Sequence, residues 1–488
     1  MTVDEPVLEK RIGLSYWMQE VLDQCQKVEA NFDADPVHDL RTSLRRCRSM
    51  ADGIRVFDRA PAWKKMRRAG KQLFSSLGDL RDTHVIGDWV EKLASEDDAA
   101  GKTLRDFLAT QEQKFRKTAA IALQDFDRAQ WKSWANELPE RAERIPLDSP
   151  VFAHLALERC NQAYELHRRA LRNRTNVAFH ELRIGLKRFR YTLENFLPSL
   201  HTAWGEDLKD LQDLLGEVHD LDVLWLTALQ IKAFPNTASR AQWRSRIEEE
   251  RRDRLHAYRE KMIGKDSLWR VWRASLPRPE EVRHLGLERL RIWASFLDPN
   301  FAHARHIARL GLQLYDGLPP DGFFRGPKRN TYREILQAAA FMHDVGLART
   351  NKGHQKVSAR LIRELDPPLG WTAHEIDLAA LIARYHRGAL PRETQRNFVR
   401  LSPSKRRLVQ FLGGILRLAC ACDQEHDNRI RRVKVECSDP VLTIRADGYA
   451  ESTSQAEHLA AARHLLELAL HRPVFLTPLA TANGTRAA

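Results

Sequence analysis

From residue 6 to about 275 the apolar residues of this chain recur three and four positions apart, one face of a helix at a time, with few β-branched runs between them. The pattern stops at Asp35-Pro36, Ala60-Pro61, Ile145-Pro146 and Phe234-Pro235, where proline ends or opens a helix. This half is predicted to be all-α. LPRPEEV at 276–282 places two prolines in a short polar stretch and reads as a linker. Helical periodicity then resumes until VKVECSDPVLTIRADG at 433–448, whose strict alternation predicts a β-hairpin turning near Asp439-Pro440. A last helix over 454–471 and the strand-like PVFLTP complete the described pattern. The expected fold is therefore mainly all-α, with a small C-terminal β-hairpin.

Within the helical half the text is written twice. HDLRTSLRRCR from His38 returns as HELRIGLKRFRY from His180, and KQLFSSLGDLRDTHV from Lys71 returns as KDLQDLLGEVHDLDV from Lys209. Two blocks in the same order at nearly the same offset predict a duplicated helical unit, about 6–145 and 149–275, folded as two bundles about a pseudo-twofold axis. An α-helical domain over 283–488 follows.

The repeat carries charge in register. His38, Arg41, Arg45 and Arg48 correspond to His180, Arg183, Lys187 and Arg190. On a helix these offsets fall within an arc of roughly 80° and along roughly 15 Å of axis, so each set forms a stripe beside the apolar face of Leu40, Leu44 and Cys47 or its equivalent. One such stripe would be an ordinary solvated helix face. Two, matched in type and spacing, predict an anion-binding groove longer than a single phosphate. A second row, Lys64, Arg67, Arg68 and Lys71, keeps only Lys209 in the other copy.

The 488 residues are 43% hydrophobic with a net charge of +14, which fits a globular protein with a polyanionic partner: nucleic acid, an acidic membrane surface or a chain of phosphates. Six cysteines without CxxC spacing point to reduced thiols, and the sequence shows neither a secretory leader nor an apolar run long enough to span a bilayer. A soluble, cytoplasmic protein is expected. Nucleic acid has only the charge in its favour, since the 12 tryptophans sit in helical patterns that suit packing.

HDLRTSLRRCR, HELRIGLKRFRYTLE and LLGEVHDLDVL resemble the signatures of the CHAD family, the conserved histidine α-helical domain, over roughly residues 6 to 275. The resemblance implies paired helical bundles with a basic central groove that binds inorganic polyphosphate, and so a link to polyphosphate granules. Its contacts would be His38, Arg41, Arg45, Arg48, Lys71, His180, Arg183, Lys187, Arg190 and Lys209. Tyr191 either hydrogen-bonds at the groove edge or packs in the core.

The second half carries a different chemistry. FMHDVG ends an apolar helical run in an adjacent His343-Asp344 pair, the core of a divalent-metal site in HD-type phosphohydrolases. HARHIARLGLQLYD from His303, GHQKVSARLI from His354, ARYHRG with His386 and LGGILRLACACDQEHD with Asp423 follow the order of the C-terminal HD-like domain of the exopolyphosphatase/guanosine pentaphosphate phosphohydrolase family. The likeness implies a metal (Mn, Mg or Zn) held by His303, His343, Asp344, His354, His386 and Asp423. His306 reads as a surface residue.

Two departures limit what is inherited. LRLAC puts Cys420 where the family reads L-R-x-A-D, leaving Asp423 as the candidate substitute, and the actin-like domains that carry catalysis in that family have no counterpart here. Three functions are thus open: a polyphosphate binder whose HD-like domain extends the grip through Arg384, His386 and Arg387 or acts on the same ligand; a metal-dependent phosphohydrolase of polyphosphate or guanosine polyphosphates; and a nucleic-acid-binding protein. A degenerate HD-type phosphohydrolase is the expectation for the second half.

Overall fold

A computed structural model describes residues 13–30, 32–319, 326–450 and 454–479. The chain divides into two compact units between Pro279 and Glu280. The predicted start of the first bundle at residue 6 lies outside the described residues.

The first unit repeats one helical plan. Its first copy is α1 (Leu14–Ala30), α2 (Ala34–Ile54), α3 (Pro61–Leu93), α4 (Ala99–Gln124) and α5 (Arg128–Glu143). Its second is α6 (Pro150–Asn173), α7 (Asn176–Phe196), α8 (Pro198–Gln230), α9 (Thr237–Met262) and α10 (Leu268–Ser275). α2 and α7 are each 21 residues, α3 and α8 each 33, and α4 and α9 each 26, so the copies keep their lengths where the repeated motifs lie. Proline opens α3, α6 and α8 at a position whose N–H has no helical partner to lose. Asp98 and Asn236 cap α4 and α9 in the same way, accepting from Ala100 N at 3.0 Å and Ser239 N at 2.8 Å.

The two copies share core. Trp89, Val90 and Leu104 pack in one cluster with Leu221, Leu224 and Trp243, and the Trp243 indole N–H crosses to Asp98 Oδ2 at 2.8 Å. Truncating Trp243 to alanine would cost about 3–5 kcal/mol at such a buried site. α2 also lies on α7, and Gly53 makes this possible because a Cβ there would enter the Phe196 ring. The stripe-bearing helices are thereby neighbours.

Residues 276–278 join α10 to α11 (Pro279–Leu297), so 279–282 form the first turn of that helix. The second unit continues through α12 (Phe301–Gly317), α13 (Lys328–Met342), a 3₁₀ turn (Val345–Ala348), α14 (His354–Arg363), α15 (Ala373–Arg384), the short α16 (Arg396–Val399) and α17 (Pro403–Cys422). Its core gathers Leu310, Leu336, Ile382 and Leu416 from four of these helices. β1 (Arg432–Ser438) and β2 (Val441–Asp447) form the expected hairpin, turning at Asp439-Pro440. α18 (Ser454–Leu470) then carries the chain back so that β3 (Val474–Pro478) pairs parallel to β2, Leu442 opposite Val474. The hairpin is thus two strands of a three-stranded sheet, a parallel closure that needs a crossover helix. Among the described residues no helix is long and apolar enough to cross a membrane.

Candidate functional site

The first unit holds a basic groove between α2, α3 and α7. A cavity of about 410 Å³ is lined by His38, Arg41, Arg45 and Arg48 from α2, Phe74 and Arg81 from α3, and Lys187, Arg188 and Tyr191 from α7. A second cavity of about 260 Å³ shares Ser49, Asp52, Arg188 and Tyr191 with it and adds Arg67 and Arg159. The shared walls make one elongated basic depression. Its acid, Asp52, is held by Arg67 at 2.5 Å.

Aromatic rings hold the arginines in place. Arg41 and Arg48 lie over Phe74 at 4.3 and 4.7 Å, Arg41 Nη1 also donates to the Phe74 carbonyl at 2.9 Å, and Arg45 lies 5.6 Å from the centre of the Tyr191 ring. Tyr191 is therefore a groove residue. The buried Nε atoms of Arg45, Arg48, Arg183 and Arg190 have no hydrogen-bond partner, nor has Nδ1 of His180. Four of the repeat-matched cations thus keep a donor that nothing in the described protein uses.

The repeated glycine has a geometric reason. A Cβ at Gly78 would stand 2.9 Å from Arg41 Nη1, whereas one at Gly216 would meet Arg183 Nε at an ordinary 3.9 Å. α3 thus offers Arg41 a surface without a side chain.

Crowding of cations shows in their protonation. Burial, then Arg183 and Arg45, push the Lys187 ammonium down to about 8. Burial and the facing Arg81 and Arg45 hold His38 below its ordinary value. Burial raises Asp220 to about 6 against the pull of Arg183, with its repeat partner Asp82 adding to the rise. His219, 4.8 Å from His180 ring to ring, is pushed to about 4 by burial and then by Arg183.

The two stripes line these two cavities unequally. Of the second copy's set only Lys187 lines the larger cavity; His180, Arg183 and Arg190 line neither cavity, nor do Lys71 and Lys209, which are exposed. Arg190 instead reaches Glu194 at 3.9 Å, and Glu194 also pairs with Arg46. Arg81 and Arg188 line the groove although the sequence reading passed over them. Arg81 stands where the second copy has His219, and Arg188 where the first has Arg46, so register within the repeat was the signal that could have found both.

The second unit converges four side chains on one carboxylate. His303 comes from α12, His343 and Asp344 follow α13, His354 opens α14 and His386 follows α15. His354 Nε2 lies 3.1 Å and His386 Nε2 3.6 Å from Asp344 Oδ1, and His343 Nε2 lies 3.4 Å from Oδ2. Two sets of potential ligands result, His303/His343/Asp344 and Asp344/His354/His386, both fully buried. The glycine of the HDVG run is required because a Cβ at Gly346 would strike the His354 carbonyl and stand 2.7 Å from Ser358 N.

The tautomers are fixed from behind. His343, His354 and His386 each place Nδ1 against a carbonyl three residues earlier: Ala340 at 2.7 Å, Asn351 at 3.1 Å and Ala383 at 2.7 Å. A carbonyl can only accept, so Nδ1 carries the hydrogen and a neutral ring turns its Nε2 lone pair inward. Nε2 of His354 and Nε2 of His386 then face each other at 3.4 Å, two acceptors with nothing between them unless a proton or a cation lies there. Burial pushes the Asp344 carboxyl up, but His343, His354 and His386 outweigh it and hold the group well below the usual carboxylate range. Asp344 Oδ1 also lacks a hydrogen bond of good geometry. These residues fit a metal ion, and three imidazoles with one carboxylate suit zinc better than magnesium.

Asp423 does not join them. Its Oδ2 takes the Nδ1–H of His303 at 2.7 Å and its Oδ1 accepts from Asn428 N at 2.8 Å, so it orients His303. Cys420 lines the same cavity of about 400 Å³ as His303, His343, Asp344 and His386, but burial and then Asp344 push its thiol well above the ordinary value. Arg387 and Arg417 line this cavity and Arg384 does not. His306, expected at the surface, is buried: its Nε2 meets the Ile430 carbonyl at 3.0 Å because β1 follows directly over α12. The sequence reading missed Asp298, a buried carboxyl raised by burial and then, after a bond from Asn300, by Asp344; its Oδ2 has no partner. Nothing in LDPN, which reads as a helix end, could have marked it.

Residues 17–229 match the family model described as CHAD domain, and residues 284–470 match that described as Ppx/GppA phosphatase, domain III. No curated protein matches the chain. Among solved structures, the crystal structure of the CHAD domain from the plant Ricinus communis is 22% identical over 54% of this chain and 90% of its own, with a TM-score of 0.38. The chain carries a CHAD domain across residues 17–229 and a Ppx/GppA domain III across residues 284–470.

Proposed function

We propose that this protein binds inorganic polyphosphate in the basic groove of its first unit, with the second unit holding a divalent metal and engaging the same polymer. The observation that carries the reading is the concentration of cations along one groove. Arg45 and Arg48 line it with five further cationic or imidazole side chains, against a single carboxylate, Asp52. A chain of phosphates supplies acceptors at a regular spacing along such a groove, and the guanidinium fork suits them. His38, Arg41, Arg45, Arg48 and Lys187 would hold the polymer. Lys71, His180, Arg183, Arg190 and Lys209 would act on it through the field of the groove.

In the second unit His343, Asp344, His354 and His386, with His303, would hold the metal. A bound divalent ion supplies Lewis-acid polarisation of a phosphoryl oxygen. Arg387 and Arg417 at the cavity wall would bind the phosphate chain, and Asp423 would keep His303 turned inward. The setting that agrees with six cysteines, none of them in a disulfide, is the cytoplasm.

A second reading, metal-dependent hydrolysis of polyphosphate or guanosine polyphosphates, is favoured by one observation: two ligand sets share Asp344 within a cavity that has arginines on its wall. Cys420, standing where the L-R-x-A-D pattern has a carboxylate, favours binding without turnover. The deciding experiment incubates the purified chain with long-chain polyphosphate, with and without Mn, Mg or Zn, and follows binding and phosphate release together. Salt-sensitive binding without release is expected. Metal-dependent release that disappears in the His343→Ala/Asp344→Ala variant would promote the second reading, and absence of binding would overturn the first.

A further inference from the structure

The duplicated unit contains its own control for a site outside the groove. WKSWANELP at 131–139 and WRVWRASLP at 269–277 are one helix written twice, so Trp131 and Trp134 of α5 correspond to Trp269 and Trp272 of α10. The buried positions of α1 likewise recur in α6, 142 residues on: Met18 as Cys160, Val21 as Ala163 and Val28 as Ala170. These three changes remove side-chain volume from the second copy, while Leu22 recurs as Tyr164 and Cys25 as His167, which bring rings.

The two copies differ accordingly. In the first, Trp131 is fully buried and its Nε1–H donates to the Met18 carbonyl at 3.0 Å. In the second, Trp269 is only 6% exposed, yet its Nε1–H has no partner. Beside it opens a cavity of about 800 Å³, reaching from Cys160 to Met262.

The walls name the ligand's chemistry. Tyr164 and His167 stand 5.4 and 5.5 Å from Trp269, ring to ring, so three aromatic rings line one side. His167 is neutral: burial pushes it to about 4, and its Nδ1 lies 2.8 Å from the Tyr258 hydroxyl. Arg168, Arg270 and Arg273 line the cavity as well, and no aspartate or glutamate does. Arg168 pairs with Glu165 at 3.4 Å and Arg273 donates to the Pro277 carbonyl at 3.0 Å. Arg270 is exposed and has no side-chain partner among the described residues.

We propose that this cavity binds a planar aromatic anion of nucleotide size, its ring against Tyr164 and the face of Trp269 and its charge on Arg270. Aromatic faces take the ring by stacking, arginine takes the anion, and the lack of carboxylates removes repulsion. The site is separate from the polyphosphate groove, none of whose lining residues it shares.

The test titrates the full chain with 8-anilinonaphthalene-1-sulfonate by fluorescence, then adds GMP or inorganic phosphate as competitor. One saturable site per chain is expected, displaced by GMP and not by equimolar phosphate. Tyr164→Ala and Arg270→Ala should each weaken probe binding about tenfold. Cys160→Met restores the side chain that the first copy carries and narrows the cavity at that wall; it should weaken probe binding while thermal unfolding and polyphosphate binding stay as in wild type. Absence of a saturable site, equal displacement by phosphate and GMP, or undiminished probe binding in folded Cys160→Met would overturn the proposal.

Discussion

Asp423 accepts the Nδ1–H of His303 at 2.7 Å, with its other oxygen already taken by Asn428 N. The carboxylate that the sequence offers as a metal ligand therefore stands behind His303 and outside both sets of potential ligands. Asp423→Ala should reduce zinc affinity about 10–100-fold without abolishing it, as loss of an orienting partner does. Asp344→Ala, which removes the carboxylate common to both ligand sets, should leave no stoichiometric zinc. Metal content by elemental analysis after dialysis against graded chelator distinguishes them; equal loss in both variants would make Asp423 a ligand after all.

The groove predicts an asymmetry between the copies. Arg45→Ala with Arg48→Ala removes two lining guanidiniums and should weaken polyphosphate binding about a hundredfold, given roughly 1.5–3 kcal/mol per hydrogen bond to a charged group. Arg183→Ala with Arg190→Ala removes matched residues that do not line it and should have a smaller effect. Filter binding across a salt series would show this, with the logarithm of affinity falling more shallowly against salt in the first variant. Equal losses would restore the symmetric groove that the repeat alone suggests.

Binding should also respond to pH through Lys187. Its pKa is lowered in the folded protein, so its positive charge is present below about 8 and is lost as pH rises through that value. Affinity should therefore decline between about pH 7 and 9, well before an ordinary lysine titrates. Lys187→Arg should remove this decline, because a guanidinium stays charged throughout. A flat wild-type profile over that range would contradict the assignment.

Gly78 and Gly216 occupy the same place in the two copies, in helix interiors where alanine is favoured by about 1 kcal/mol. Gly216→Ala should stabilise the chain slightly and leave binding alone. Gly78→Ala should displace the Arg41 guanidinium, 2.9 Å from the new methyl group, and weaken polyphosphate binding several-fold with little change in thermal unfolding. Calorimetry and a binding isotherm on both variants test the pair.

Gly346→Ala makes the opposite kind of demand, since its Cβ would meet backbone of α14, which cannot swing aside. A cost of at least about 1–3 kcal/mol is expected, along with loss of zinc binding as His354 is pushed away. Unchanged thermal unfolding of the second unit would show that the α13–α14 junction is more yielding than this close approach implies.

The sequence alone determined the helical class, the duplication, the stripe on α2 and the set of histidines, because helical periodicity and repeated spacing are local properties that a chain carries in its order of residues. It also determined the hairpin, whose alternation and Asp439-Pro440 turn lie within 16 residues. What it could not determine were choices made between distant segments. That Arg183 and Arg190 leave the groove while Arg81 and Arg188 enter it depends on how α2, α3 and α7 cross, and that Asp423 serves His303 depends on where α17 ends beside α12. The parallel pairing of β3 with β2 and the cavity beside Trp269 are of the same kind. Each is settled by packing, where the volume of one side chain and the unmet hydrogen bond of another are resolved only once the helices are in contact.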